Sequence, residues 1–249
     1  VWPLLLKSLA LSFLVSCFSL VIGTWFAWCE TRLHYHGRRI LSFLSILALA
    51  TPSYLIATIV REEFAPAGIF GRVFGLEGTF TGFWPSVLVL TVACTPYVHL
   101  LAAAALRRCP SAEEEAARSL GATSARVLKT VIAPRLRPTW AFALVLVGLY
   151  VVSDFGAVAI LDCEVLTWEL YKARDGREAV ALAFGLLLVV LPLLGAVRLL
   201  KSERFEERTQ VHRRVDRKPM SPGLLTLTLV LHGMVVGLGV ILPFVSLLK

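Results

Sequence analysis

The sequence predicts an all-α, polytopic membrane protein. Three observations lead there. First, 57% of its 249 residues are hydrophobic and 17% are charged, where a soluble domain carries about a quarter charged. The mean hydropathy of +0.76 points the same way. Second, the apolar residues gather in runs long enough to cross a bilayer. Third, the charges lie between those runs, and their sign alternates along the chain.

A spanning helix needs about 20 mostly apolar residues. Residues 8–28 and 40–60 carry no charge, 83–106 carry only the titratable His99, and 138–161 carry only Asp154. Residues 179–197 and 223–248 carry no formal charge. Lipid offers the backbone no hydrogen-bond partners, so such runs form helices. Six spans are expected. Pro52 and Pro96 are expected to kink the second and third, and such breaks often line a cavity. Gly233 and Gly237 spell GxxxG in the last span, a packing signal between helices.

The loops set the orientation. Segment 29–39 holds Arg32, Arg38 and Arg39, and segments 107–137 and 198–222 are richer still in Arg and Lys. Segments 61–82 and 162–178 mix bases with acids. The positive-inside rule therefore places 29–39, 107–137 and 198–222 in the cytoplasm and residue 1 outside. The net charge of +8 is a matter of topology and implies no nucleic-acid partner. The stretch GIFGRVFGLEGTFTGFW reads as an interfacial or re-entrant turn on the outer side. Segment 201–222, ending in RKPMSP, reads as a cytoplasmic linker between two membrane modules. Val1 in place of Met, and an apolar run that ends at Lys249, predict a piece of a longer chain.

Two titratable groups within the spans stand out, and His232 in the last span is assigned no role. Asp154, in SDFGAV, is costly in lipid and either lines a translocation path or caps and packs helices. His99 follows TPY and is a second path candidate, though a lone histidine on an apolar helix is more often hydrogen-bonded structure. Cys17, Cys29, Cys94, Cys109 and Cys163 form no CxxC pair and read as small apolar fillers. His34 and His36 read as solvated. No metal cluster, cofactor motif, P-loop or hydrolase constellation is visible, so the chain is not expected to be an enzyme or to hydrolyse ATP itself.

The third loop is unlike the rest. Pro110 is expected to close the third span, and Ser111 stands three residues before Glu114, at capping-box spacing. Glu113, Glu114 and Glu115 suit the first turn of a helix, and Ala116 and Ala117 continue it. Gly121 suits a left-handed stop. Thr123 or Ser124 can cap a second short helix, with Pro134 and Pro138 expected to end it. Two short helices at a glycine turn make a rigid projection suited to docking, or else a merely solvated loop.

The stretch EAARSLGATSARVLKTVIAP resembles the EAA loop of the membrane subunits of ATP-binding-cassette (ABC) importers. Glu115, Ala116, Ala117, Gly121 and Pro134 stand in the register of that family's pattern, with Val131 and Ala133 as apolar departures. The stretches GRRILSFLSILALATPSY, FWPSVLVLTVACTPYVHLL and LYVVSDFGAVAIL resemble the ferric-iron type of two-module permease. The resemblance implies a type I, MetI-like core of five helices over residues 1–200, with the coupling loop at 111–134. It implies a linker at 201–222 and the first helix of a second half at 223–249. It also implies a bacterial inner-membrane permease that moves ferric iron. A dimer of cytoplasmic ABC ATPases would grip the loop, and a periplasmic or lipoprotein binding protein would deliver the substrate. Thiamine, polyamine, phosphonate or sulfate are alternative cargoes, and a membrane scaffold or enzyme subunit is the alternative outside transport.

Overall fold

The structure is a computed structural model, and it describes residues 1–109, 111–173, 175–202 and 218–247. Pro110 and most of the expected linker at 201–222 lie outside the described residues.

The long helices are α1 (Trp2–Arg32), α5 (Phe83–Arg108), α8 (Ala133–Ser153) and α11 (Gly176–Ser202). Near the end of the chain, α12 (Pro222–Val236) continues through a π-helical turn, Gly237–Ile241, into α13 (Leu242–Leu247). Five helical segments are long and apolar enough to cross a membrane. The sixth expected span is broken. A 3-10 turn at Ala48–Ala50 follows α2 (Arg38–Leu47), and α3 (Ser53–Glu63) leaves at 100° to it. Pro52 is the pivot: its backbone is extended, with ψ of 143°, and it has no N–H to carry a helix forward. This is a break, sharper than the kink its proline predicts. At Pro96, in contrast, α5 remains one helix.

The two ends of the long helix α1 mark two ends of the molecule. At one, Lys7 pairs with Glu164 (3.2 Å) and the Gly82 N–H donates to the Leu161 carbonyl. At the other, α1 ends beside the third loop. There a two-residue strand β1 (Leu33–His34) pairs in parallel with β2 (Lys218–Pro219). Segments 33–37, 111–127 and 218–221 thus share one end of the bundle.

Helix α5 is the axis of the bundle, and α1 lies along it. The face that α1 buries carries Ser8, Ser12, Ser16, Ser19 and Gly23, small residues that let backbones approach. A Cβ on Gly23 would stand 2.7 Å from the Val98 Cβ and 2.9 Å from the His99 nitrogen. The serines fasten the contact: Ser19 donates to the Thr91 carbonyl (3.4 Å), and Ser12 to the Gly148 carbonyl on α8 (3.3 Å). Outside this seam, a core of Ile56, Val60, Leu90 and Val147 joins α3, α5 and α8.

Two boundaries differ from the sequence expectation. The fourth span does not run to 161. It stops at Ser153, Asp154 lies in extended backbone, and a short α9 (Gly156–Ile160) follows. Nor do Pro134 and Pro138 end the second loop helix. Helix α7 (Ser124–Val127) passes through a π-helical turn, Leu128–Ile132, straight into α8. That wide turn sends the Ala133 N–H to the Leu128 carbonyl. The hydrogen-bond register shifts just ahead of Pro134, which then sits in the first turn, where its missing N–H costs nothing. The GxxxG pair is not a contact either. A Cβ on Gly233 or Gly237 would meet nothing, while one on Gly239 would stand 2.9 Å from the Ala48 Cβ.

The glycine- and aromatic-rich segment after α3 forms α4 (Ile69–Phe74), with Phe64 stacked between Phe70 and Phe80 at 4.9 and 4.7 Å. Helix α10 (Leu166–Lys172) leads into α11.

Candidate functional site

The third loop folds as two helices about a glycine. In α6 (Ser111–Ser119), Glu113 and Glu114 occupy the first turn. Gly121 takes φ of 83°, a left-handed conformation that suits glycine. Its N–H donates to the Arg118 carbonyl (2.9 Å), and that of Ala122 to the Ala117 carbonyl (3.0 Å), so the last carbonyls of α6 are satisfied. The Thr123 hydroxyl accepts the Arg126 N–H at 3.4 Å and caps α7.

The loop has an inner and an outer face. Inward, Val127, Ile132 and Leu136 are fully buried against Ala27, Ala102, Ala103 and Leu106. Outward, Glu115, Ala116, Ser119, Leu120 and Gly121 are exposed, and Leu120 is 88% exposed. Ala117 is half-buried on the inner side, and Pro134 is exposed at the head of α8. The Glu114 carboxylate turns into the bundle, where it is 2% exposed and accepts the Arg32 Nε–H at 3.0 Å. Glu113 pairs with Arg135 at the surface. Beside them, burial pushes the Cys109 thiol above its usual range, opposed by Arg32 and Arg135. Burial likewise raises Tyr35, in the neighbouring turn, to about 12.

Of the three path candidates, the structure brings two together. Pro52 breaks the second span beside Ser53, and the Ser53 hydroxyl donates to Asp154 Oδ2. Asp154 Oδ1 accepts the Ala157 N–H at 2.9 Å, capping α9. A Cβ on Gly156 would stand 2.8 Å from the Tyr54 Cβ, so the two breaks are packed on each other. Nearby, Tyr97 and Tyr150 pair at 5.7 Å and line a shallow crevice with Leu146 and Val147.

His99 lies elsewhere, fully buried between α1 and α5. Its Nε2 is 2.9 Å from Glu30 Oε2. A carboxylate only accepts, so Nε2 carries the hydrogen. Glu30 also takes the Ser42 hydroxyl at 2.6 Å and an Arg107 N–H. This network ties α1, α2 and α5 together. The sequence offered little sign of it, since Glu30 and Arg107 read as loop charges. Leu120 was also missed, although a leucine directly before the turn glycine was a usable signal. Among the described residues no group of three His, Cys, Asp or Glu side chains could hold a metal ion; the His34 and His36 rings lie 6.5 Å apart.

Residues 9–202 match the family described as binding-protein-dependent transport system inner membrane component. The sulfate transport system permease protein CysT of Salmonella typhimurium is 28% identical over 218 residues, 82% of this chain and 78% of that protein. The molybdenum transport system permease protein ModB of Escherichia coli is 31% identical, over 63% of this chain and 69% of that protein. The Fe(3+)-transport system permease protein FbpB 2 of Haemophilus influenzae is 24% identical over 77% of this chain, which spans only 36% of that relative's length. In fold, the chain is similar to the inward-facing MetNI methionine ABC transporter, with a TM-score of 0.61 and 19% identity, over 81% of this chain and 95% of that one. The matched family spans the core helices and the glycine-turn loop together, and the chain belongs to it: it is a binding-protein-dependent inner-membrane component, the permease of an ABC importer.

Proposed function

We propose that this permease is driven through the loop 111–134 by a dimer of separate cytoplasmic ATPases, and that it imports a small inorganic ion delivered by a binding protein. The observation that carries the reading is the exposed small-residue face of Glu115, Ala116 and Gly121 with Leu120 projecting from it. A buried inner face holds that surface rigidly to the bundle. An exposed leucine among alanines and a glycine suits insertion into a partner's groove. The hydrolysis belongs to the partner, and this chain supplies the pathway and the lever. On this reading the end bearing the loop is cytoplasmic, in keeping with its basic residues.

The lever is α8. It continues from the loop through the π-helical turn and ends at Asp154, which holds Ser53 at the broken span. A push on the loop reaches the far end of the bundle along one helix. Asp154 and Pro52 then sit where the pathway changes access, and His99 serves the packing of α1 on α5.

Ferric iron is the cargo that fits a two-module layout. Residues 1–200 form the core of a first half, 201–222 the linker and 223–249 the first helix of a second half, in keeping with an iron permease of which this chain spans about a third. A tetrahedral oxyanion is the second reading, supported by the identity to sulfate and molybdenum permeases. Uptake of labelled ferric iron, sulfate and molybdate by cells carrying the complete transporter separates the two. Loss of all uptake and of ATPase co-purification in Gly121→Pro is expected; normal uptake in that variant overturns the coupling role.

A further inference from the structure

The run Glu113, Glu114, Glu115 sends its three carboxylates in three directions. Glu113 reaches Arg135 on α8, and both side chains are exposed by about two-fifths or more. Glu115 is exposed on the outer face. Glu114 alone goes inward, and what it meets there is not required by the loop's own fold. Arg32, the last residue of α1, is 5% exposed. Its Nη2 lies 2.7 Å from Glu114 Oε1 and donates to the Leu106 carbonyl of α5 at 3.0 Å. The second Glu114 oxygen faces Arg118 at 3.8 Å. One guanidinium therefore joins α1, α5 and α6.

We infer that Arg32 and Glu114 form a clamp that makes the coupling helix α6 carry α1 and α5 with it, so that both are positioning residues for energy coupling. The inference rests on the docking role proposed for the loop. Its physical ground is that two opposite charges removed from water are tolerable only while paired, and that parting them leaves each uncompensated. Helix α6 cannot swing away from the end of α1 without that loss. The apolar layer beneath, Ala27, Ala103, Leu106 and Val127, has no such all-or-none character, because small apolar contacts slide at little cost. The α8 connection moves the fourth span; the clamp adds the α1–α5 pair to the same stroke.

The test uses the complete transporter with its ATPase and binding protein in proteoliposomes, and reads ions imported per ATP hydrolysed. In Arg32→Met, import per ATP is expected to fall about tenfold while hydrolysis stays within about twofold, since a pairwise coupling is typically worth a factor of that order. Glu114→Gln, which keeps the side-chain volume, is expected to show the same split and serves if Arg32→Met does not accumulate. The exchange Arg32→Glu with Glu114→Arg is expected to recover most of the ratio. Unchanged import per ATP in both single variants overturns the clamp, and so does a fall confined to the amount of folded protein. The docking role is judged separately by Gly121→Pro, which should lose hydrolysis and import together.

Discussion

Ser53 donates its hydroxyl to the carboxylate of Asp154, and by that bond the break in the second span is fastened to the break after the fourth. Neither break would survive alone in lipid, because each frees backbone groups that need partners. Asp154 resolves one by capping Ala157 and steadies the other through Ser53. Asp154→Ala should lower stability by about 1–2 kcal/mol through the lost cap, read as a lower Tm of the purified permease. Asp154→Asn keeps an acceptor for Ala157 and should retain both Tm and most of the uptake. Loss of uptake in the Asn variant at a normal protein level would place the negative charge itself in the ion pathway.

The glycines of the last span separate by what they touch. Gly239→Leu should destabilise by about 1–3 kcal/mol, because its Cβ would stand 2.9 Å from the Ala48 Cβ and 3.3 Å from Val92 Cγ1. Gly237→Leu, with open space around it, should be silent. Thermal unfolding in detergent checks both, and equal effects would contradict the packing.

Glu30 is the hub for His99, Ser42 and Arg107. Glu30→Ala leaves the buried His99 Nε2 without its acceptor, at a cost of about 1–3 kcal/mol. The expected outcome is a lower Tm and loosened packing of α2, read as faster amide exchange at residues 38–47. An unchanged exchange rate there would remove the network from the account of α2.

Leu120 gives the sharpest separation of function from stability. Its side chain is 88% exposed, so Leu120→Asp should leave Tm unchanged, as exposed substitutions generally do. Co-purification of the ATPase and uptake should both fall severely. A variant that assembles normally would move the docking surface elsewhere on the loop.

The sequence made the spans and the loop legible because both rest on local rules. Apolar run length marks α1, α5, α8, α11 and α12, and acidic first turn, alanines and glycine mark α6 and its stop. It hid the break at Asp154 because SDFGAV keeps the hydropathy of a span while the Asp154 carboxylate caps the start of a new helix. It hid the continuity of α7 into α8 because two prolines signal a stop and only a widened turn evades it. It hid the partners of Arg32 because Glu114 lies 82 positions away, and no periodicity reports a contact between distant charges.

At Gly23 there is no side-chain layer between α1 and the backbone of α5, since any added carbon would meet Thr95, Val98 and His99 within 2.9 Å. Two rods that touch main chain to main chain have no lubricating layer over which to slip. They travel as one body, so a displacement that reaches α1 at Arg32 reaches the middle of α5 as well.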